Sequence, residues 1–446
     1  MASSTSFSDM NLSIVGLGTE YPPYELKADA LSTLSDRFYP ESASMKKVLG
    51  VNRFTGIDTR SSVGDPDHPA VNKEKAPSIK ELHDIFMNDG VPLAIRAAGK
   101  ALKESAIDAS QITHIVATTC TDSANPGFDH YVAKELGVSD KVEKVLLHGV
   151  GCSGGLATLR TGANLALGHA ARGKPARVLC VALEVSTTLV RSELDSINEL
   201  QETRIGACLF SDCASAVVLS NGIGEQATPI YDLLGWDHRT LRDTEVDLGF
   251  DVDPLGWKVV LTPRVPKLTG ASIKPAFEDL MSQLPDLPAN YRAPSDFDWA
   301  MHPGGATILT GAERAMDITP EHMRASYDTY INHGNSSSAT IFSVMNRLRS
   351  KEMDELAPGG NVKDYVVGCA FGPGITVEMC MLKRHQPRAD ASRVVHGLQT
   401  PPMTDSDAAS DNVSDGEWST SESVEERLPE ADRQFVAQAL EKLDLD

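Results

Sequence analysis

Apolar residues along the first 385 positions follow two alternating patterns. Short runs rich in β-branched residues predict buried strands, and Ala- and Leu-rich stretches with apolar residues three or four apart predict helices. In the first part of the chain the predicted strands are Leu12–Leu17, His114–Thr119, Lys144–Val150, Ala176–Leu183 and Ala214–Leu219, and the predicted helices are Val91–Ser105, Asp129–Leu136 and Gly155–Leu167. In the second part the predicted strands are Asp298–Met301, Met323–Ile331, Tyr365–Cys369 and Ile375–Lys383, and the predicted helices are Gly305–Ala315 and Ser336–Arg349.

This alternation predicts an α/β fold in which most strands are buried. The two parts have a similar rhythm, and the turn-forming run NGIGEQ at Asn221–Gln226 lies between them. We therefore expect an N-terminal half over residues 1–222 and a C-terminal half over residues 223–385.

The last 61 residues, 386–446, have a different composition. They are rich in Ser, Asp and Pro and hold fourteen acidic and five basic residues, a net charge of −9 out of −21 for the chain. Such a segment buries too little apolar surface to offset its ordering entropy, so we expect a disordered tail. One solvated helix is expected after Pro429, where Phe435, Val436, Leu440 and Leu443 have helical spacing.

Charge and hydropathy exclude several classes of function. A net charge of −21 argues against a nucleic-acid-binding protein, which needs cations to replace phosphate counterions. No apolar run reaches the length of about 18 residues that a membrane helix requires. The first residues lack the basic and apolar regions of a secretory signal, so we expect a cytoplasmic protein whose seven cysteines are reduced thiols.

The segment KVLLHGVGCSGGLATLRTGANLALG holds the sharpest chemical signal. Cys152 falls between a predicted strand and a long predicted helix, where the helix dipole and free backbone N–H groups favour a thiolate. The glycines around Cys152 leave space for a substrate carbonyl and for close helix packing. This setting is typical of an activated nucleophile.

Two other interpretations of this segment carry less weight. Most cysteines are inert buried side chains, and we assign that role to the other six. The run from Gly149 to Gly154 also matches the dinucleotide pattern G-x-G-x-x-G, which needs an acidic residue about 20 positions further on. Glu184 ends the next strand but lies too far along the chain, so the match is weak evidence for NAD.

Three further features lie at predicted strand ends in the second half. His302 precedes Pro-Gly-Gly before a helix, Asn335 opens the next helix in HGNSSSATIF, and Phe371-Gly-Pro-Gly374 forms a turn between two strands. Singly, His302 could be a core histidine, Asn335 a helix cap and the glycine turn a hairpin. Together with Cys152 they indicate a nucleophile, its base and an oxyanion donor. No metal ion is expected, because no metal-ligand spacing of Cys or His lies near Cys152.

These motifs resemble the type III polyketide synthases, the chalcone synthase-like branch of the thiolase superfamily. The matching pieces are GVGCSGG, MHPGGATIL, HGNSSSATIF and GCAFGPGITVEM, and the resemblance runs from about Asn11 to about Lys383. It implies a thiolase-like αβαβα fold of two related halves, a homodimer, and a catalytic triad of Cys152, His302 and Asn335. It also implies acyl-CoA and malonyl-CoA as substrates, with no metal or redox cofactor. The acidic tail lies outside the family pattern and resembles extensions of fungal members.

The resemblance also assigns residues to the binding of substrates. Lys47 and Arg53, near Lys46, match a basic stretch that holds the phosphates of CoA. The residues expected to line the substrate pocket are Phe210, Ser186, Leu189, Phe250, Leu261, Ser337, Phe371 and Gly372. Leu189 stands where plant enzymes have a polar residue, so we expect a medium- or long-chain fatty acyl starter. The expected products are alkylpyrones, alkylresorcinols or alkylresorcylic acids.

Three alternatives remain at this stage. A ketoacyl-ACP synthase III would have a His-Gln-Ala-Asn motif in place of His302-Pro-Gly-Gly and a basic surface for its acidic carrier protein. A thiolase would need a second catalytic cysteine, for which Cys369 and Cys380 lie in the right region. A catalytically silent scaffold would not need the intact triad.

Overall fold

The computed structural model describes residues 10–224, 227–253 and 256–385. The predicted tail, including the helix expected after Pro429, lies outside the described residues. The predicted division at residue 222 falls near a described strand end at Ser220 and stays a prediction. No helix among the described residues has the length and apolar character needed to cross a membrane.

The described chain forms thirteen strands and thirteen α-helices. The strands are β1 Ser13–Glu20, β2 Tyr24–Leu26, β3 Arg60–Ser62, β4 His114–Thr118, β5 Glu143–Leu147, β6 Arg177–Glu184, β7 Cys213–Ser220, β8 Tyr231–Thr240, β9 Leu248–Asp253, β10 Gly256–Leu261, β11 Asp298–Met301, β12 Tyr365–Gly372 and β13 Thr376–Arg384. The helices are α1 Asp29–Phe38, α2 Ala43–Arg53, α3 Ile79–Ile85, α4 Val91–Ser105, α5 Phe128–Leu136, α6 Gly154–Ala170, α7 Val190–Leu200, α8 Gly206–Leu209, α9 Val265–Ser282, α10 Ala306–Met316, α11 Arg324–His333, α12 Thr340–Arg347 and α13 Lys351–Glu355.

Nine strands form one mixed sheet with two lobes. The N-terminal lobe has the order β5-β4-β6-β7-β1, and the C-terminal lobe has the order β8-β13-β12-β11. The lobes join between β1 and β8 through two residue pairs, Ser13 with Asp232 and Ile14 with Tyr231. By contrast, β1 and β7 pair along their whole length. This narrow junction lets each lobe carry its own helices.

Three apolar clusters define the layers of the fold. The first contains Leu156 and Leu159 of α6, Phe342 and Val344 of α12, and side chains from both lobes. The second lies on the outer face of the C-terminal lobe under α9 and α10, and the third on the outer face of the N-terminal lobe under α4 and α5. The order is therefore helix, sheet, central helices, sheet and helix, which confirms the expected αβαβα architecture.

One predicted strand is wrong. Met323–Ile331 was expected to be a strand, but residues Arg324–His333 form the helix α11. Met323, Tyr327 and Tyr330 are spaced four and three residues apart, and all three pack in the C-terminal outer cluster. That spacing is typical of a helix, and it is stronger evidence than the alternation of strands and helices along the chain.

Candidate active site

Cys152 lies where β5 gives way to the central helix α6. The residues Gly151–Ser153 form a single 3₁₀ turn, and α6 begins at Gly154. Gly149 and Gly151 have φ angles of +74° and +47°, a conformation that favours glycine. A Cβ atom on Gly151 would also lie 2.6 Å from Pro373. The turn Phe371–Gly374 of the C-terminal half is therefore in direct contact with the turn that carries Cys152, here called the cysteine turn.

The two central helices approach each other closely at their N-terminal ends. A Cβ atom on Gly154 would lie 2.9 Å from Ser338 Cβ, and one on Gly155 would lie 2.4 Å from Ile341. These contacts confirm that the glycines permit tight helix packing. They also place the segment Asn335–Ser338 of the C-terminal half beside Cys152.

Each polar atom of Asn335 has a hydrogen-bond partner, and one of its two Nδ2 protons is left over. Its backbone N–H donates to Leu209 O at 3.0 Å, and its carbonyl accepts from Ser211 N at 2.9 Å, so it forms a parallel bridge with Phe210. Its side-chain Nδ2 donates to Gly304 O at 3.2 Å, and its Oδ1 accepts from Ser337 N at 2.8 Å. The asparagine therefore links the His302 turn to the start of α12, beyond a simple capping role.

His302 directly follows β11 and is 1% exposed. Its backbone N–H donates to Cys369 O at 2.8 Å, which continues the pairing of β11 with β12. Within the described residues neither Nδ1 nor Nε2 of His302 has a hydrogen-bond partner. Burial of an imidazole without hydrogen-bond partners costs free energy. Such an unpaired group is typical of a site where a substrate supplies the missing partners.

Burial shifts both ionisable groups toward their neutral forms. It raises the pKa of Cys152 to about 11, although hydrogen bonds from Ser337 and Asn335 oppose the shift. It lowers the pKa of His302 to about 3. Burial therefore acts against the acidic Cys152 that the sequence predicts. Both shifts favour the neutral forms, a thiol and an uncharged imidazole.

A second thiol and a carboxyl group lie beside Cys152, and sequence reasoning missed both. Cys120 Sγ lies 3.7 Å from Ser337 Oγ and 3.4 Å from Glu184 Oε2. Glu184 is fully buried, and burial raises its pKa. A signal existed in the sequence, since Cys120, Cys152 and Glu184 all lie at the carboxyl ends of the neighbouring parallel strands β4, β5 and β6.

A cavity of about 660 Å³, including its open mouth, begins at Cys152. Five of the predicted pocket residues line it: Phe210, Ser186, Leu189, Phe250 and Ser337. Helices α7 and α8 and the paired strands β9 and β10 form most of the remaining wall. Their lining residues are Val190, Glu193, Gly206, Ala207, Leu248, Gly249 and Val259. Residues outside these elements complete the lining: Arg60, Cys120, Thr121, Gly151, Thr187 and Pro373. The lining is largely apolar.

Three predicted pocket residues are not part of this lining, which the described residues define. Leu261 lies two positions beyond Val259 and packs at the margin of the C-terminal outer cluster. Phe371 is buried within that cluster. Gly372 lies against the cysteine turn instead, since a Cβ there would be 2.4 Å from Val150 O.

The two predicted CoA-binding residues lie on α2. Lys47 is half-buried and Arg53 is exposed at the end of the helix, next to Phe54, which is 57% exposed. Lys46 forms an ion pair with Glu41 at 2.6 Å, whereas none is seen for Lys47 or Arg53 within the described residues. Val48 O of α2 accepts from Cys208 Sγ of α8 at 3.6 Å, so α2 packs behind a wall of the cavity.

Comparison with known proteins decides the family. The N-terminal domain of chalcone and stilbene synthases matches residues 59–223, and the C-terminal domain matches residues 238–385. The chain belongs to this family. It is also 40% identical over 380 residues to acylalkylpyrone synthase csyB of Aspergillus oryzae. The aligned region covers 84% of this chain and 94% of that protein.

Solved structures of type III polyketide synthases have the same fold as this chain. A type III pentaketide synthase from Neurospora crassa is 71% identical, with a TM-score of 0.83 over 84% of this chain and all of that chain. CsyB in complex with CoA-SH is 40% identical, with a TM-score of 0.80 over the same shares. The protein is therefore a type III polyketide synthase with a thiolase-like fold, an acyltransferase that performs decarboxylative Claisen condensation.

Proposed function

We propose that this polyketide synthase loads a medium- or long-chain fatty acyl group from CoA onto Cys152. It then extends the chain with malonyl-CoA over several rounds and closes it to an alkylpyrone, alkylresorcinol or alkylresorcylic acid. The observation that carries the proposal is a cysteine thiol at the wall of a largely apolar cavity of about 660 Å³.

His302 and Asn335 complete the proposed catalytic triad. His302 accepts the proton of the Cys152 thiol as the thiolate attacks the acyl-CoA carbonyl. It then returns this proton to the departing CoA sulfur, so that CoA leaves as its thiol. Transfer of this proton balances charge within the site, so two neutral groups become an ion pair without a net change. The neutral resting forms of Cys152 and His302 fit this order of events.

The condensation step needs stabilisation of an enolate. Malonyl-CoA loses CO₂, and the electron pair of the broken bond forms an enolate at the thioester. The second Nδ2 proton of Asn335 and an N–H of His302 donate to the enolate oxygen. The enolate carbon then attacks the acyl carbonyl and expels the Cys152 thiolate. The fixed contacts of Asn335 with Gly304 and Ser337 support this role, because they preorganise the donor.

The cavity wall supports an alkyl starter. Leu189, Val190, Ala207 and Val259 present aliphatic surface along the cavity, which favours an acyl chain over a hydroxylated aromatic ring. The name of the Aspergillus oryzae relative, an acylalkylpyrone synthase, supports the alkylpyrone as product. Phe210, Ser186, Phe250 and Ser337 contribute the remaining pocket surface of the prediction.

The CoA moiety is proposed to bind near α2. Lys47 and Arg53 would hold its phosphates, and the relative CsyB binds CoA-SH. A homodimer in the cytoplasm, working without metal or redox cofactor in catalysis, completes the proposal. The homodimer and catalysis without a metal or redox cofactor rest on the resemblance to the family, and light scattering of the purified chain measures the oligomeric state.

Product analysis by mass spectrometry tests the proposed reaction. The enzyme receives malonyl-CoA with each starter of a panel from short to long fatty acyl-CoA, and with p-coumaroyl-CoA. We expect the highest kcat/KM with a medium or long acyl chain and products that contain several malonyl units. Preference for p-coumaroyl-CoA would contradict the alkyl starter. A single condensation that requires malonyl carrier protein would instead identify a ketoacyl synthase III activity.

A further inference from the structure

We infer that His114, Glu143 and His169 form a binding site for a divalent transition-metal ion, with Zn²⁺ as the preferred ion. One ligand atom of each residue lies within 4.8 Å of the other two. The three residues come from β4, β5 and the last turn of α6, far apart in the sequence. No spacing motif of the chain reveals this site, because only the fold brings the residues together.

The hydrogen bonds of His114 show which ring nitrogen is free. Thr113 Oγ1 lies 2.8 Å from His114 Nδ1 and 3.1 Å from Arg177 O, and it accepts from Arg177 N at 2.9 Å. In the tautomer whose Nδ1 donates to Thr113 Oγ1, Nε2 carries the lone pair. His114 is 1% exposed, and its Nε2 has no hydrogen-bond partner among the described residues. A buried, unpartnered ring nitrogen that faces a second imidazole and a carboxylate is the second observation that points to a cation.

His169 has the same arrangement. Its Nδ1 lies 3.1 Å from Pro175 O, and a carbonyl can only accept, so Nδ1 is protonated and Nε2 is free. A metal-bound histidine usually donates its other N–H to a carbonyl, carboxylate or similar acceptor, which fixes the ring. His169 meets that condition through Pro175 O, and His114 meets it in the tautomer whose Nδ1 donates to Thr113 Oγ1. Their rings lie edge to face, with 4.6 Å between centroids.

Glu143 supplies the negative charge. Glu143 lies opposite His114 in the pairing of the parallel strands β4 and β5, so the sheet holds the two residues side by side. Its Oε2 lies 3.9 Å from His114 Nε2. The Glu143 side chain is 70% exposed, so it is free to rotate and bring its carboxylate closer to an ion bound at the two histidines. Two imidazole nitrogens and one carboxylate are a ligand set typical of Zn²⁺ with a water at the fourth position.

The electrostatics around His114 are mixed. Burial lowers its pKa, as do the fields of His169 and Arg172, whereas Glu143 opposes the shift. Arg172 is exposed and donates to Gly168 O at 3.2 Å, so it can turn toward solvent when a cation binds.

The site is separate from the polyketide chemistry. His169 lies in the last turn of α6, and Cys152 precedes its first turn, so the helix of roughly 25 Å separates them. A bound ion would tie the end of the central helix α6 to the strands β4 and β5 of the N-terminal lobe. Its effect is therefore expected on stability and not on the chemical step.

Binding of Zn²⁺ and Co²⁺ to the chelator-treated full chain tests the inference. Competition with a chromophoric chelator gives the Zn²⁺ affinity, and visible absorption reports the Co²⁺ ligands. Two variants, His169→Gln and Glu143→Gln, alter exposed or half-exposed ligands and should fold. The matched control is His130→Gln, an exposed histidine on α5.

We expect one Zn²⁺ per chain, a rise in melting temperature with Zn²⁺, and a loss of affinity of about tenfold or more in both ligand variants. His130→Gln should bind as the wild type does. Polyketide synthesis should be unchanged by removal of the metal. The inference is overturned if His169→Gln keeps wild-type affinity or if no Zn²⁺ binds. A sulfur-to-cobalt charge-transfer band would also overturn it, because the metal would then sit on a cysteine.

Discussion

The thiol of Cys152 donates a hydrogen bond to the hydroxyl of Ser337, with 3.4 Å between Sγ and Oγ. The two residues come from opposite halves of the fold, at the starts of the central helices α6 and α12. Ser337 has a φ angle of +47°, which is unusual for a residue other than glycine, and its N–H donates to Asn335 Oδ1 at 2.8 Å. The asparagine thus fixes the serine that contacts the nucleophile.

Ser337→Ala should make Cys152 less reactive. In the thiolate form Cys152 Sγ accepts from the Ser337 hydroxyl, which lowers the pKa of Cys152 against the effect of burial, so loss of this hydrogen bond raises the pKa further. A bond of about 1 kcal/mol predicts a roughly fivefold slower reaction of Cys152 with iodoacetamide at neutral pH. Peptide mass spectrometry over time measures the rate. Ser336→Ala is the control, because Ser336 Oγ contacts Ser211 at 2.8 Å and not the cysteine; an equal loss there would contradict the explanation.

Removal of the nucleophile and of the imidazole should separate two steps. In Cys152→Ala we expect malonyl-CoA decarboxylation to continue, since enolate stabilisation by His302 and Asn335 does not need the thiol. In His302→Ala decarboxylation should fall by about 100-fold or more, the usual cost of losing an oxyanion donor. Release of CO₂ from labelled malonyl-CoA measures both. Decarboxylation at the wild-type rate in His302→Ala would remove the histidine from this step.

The conformational stability should fall in mild acid. Burial lowers the pKa of His333 to about 4 and that of His302 to about 3, below the ordinary value of 6.5. Between pH 6.5 and these values the unfolded chain binds protons that the folded chain excludes, so acid favours unfolding. Each histidine contributes a slope of up to about 1.4 kcal/mol per pH unit.

His333→Gln checks this origin of the slope. His333 stacks on Tyr21 and contacts Ser61 Oγ at 3.0 Å, outside the proposed triad. We expect a smaller pH dependence of the free energy of unfolding between pH 6.5 and 4, measured by urea titration. The exposed His130→Gln should leave the slope unchanged. An unchanged slope in His333→Gln would assign the acid sensitivity to other groups.

Leu189→Trp should shorten the accepted starter. Leu189 lines the cavity and is 6% exposed, so a larger side chain takes up volume that a long acyl chain needs. We expect kcat/KM to fall for the longest acyl-CoA and to change little for short ones. Leu200→Trp, on the exposed end of the following helix, controls for the substitution itself. A uniform loss across all chain lengths would show damage to the fold instead of a change of cavity.

The elements that the sequence predicts correctly have local signals. The strand ends predicted at Thr119 and Leu183 lie one residue from the observed ends, Thr118 and Glu184, and the helix Val91–Ser105 is observed as predicted. Apolar periodicity and turn residues within a few positions set these bounds. The error at Met323–Ile331 arose because a short amphipathic helix and a short strand contain similar numbers of apolar residues. Only the spacing distinguishes them.

The site was only partly predictable for a related reason. Cys152, His302 and Asn335 each stand in a local motif, whereas the contact of Cys152 with Ser337 and the approach of Cys120 depend on how two halves pack. The shift of the Cys152 pKa to about 11 likewise comes from burial by the whole fold. Phe371 carries a conspicuous motif, but strand alternation turns it into the outer cluster and away from the cavity lining.

Identification of the acylated cysteine tests the central claim most directly, because two thiols, Cys152 and Cys120, line the same cavity. The enzyme is mixed with a fatty acyl-CoA without malonyl-CoA, quenched in acid, digested and analysed by mass spectrometry. Acyl transfer to Cys152, unchanged in Cys120→Ser and absent in Cys152→Ala, is the predicted result. An acyl group on Cys120, or acylation that persists in Cys152→Ala, would contradict the account.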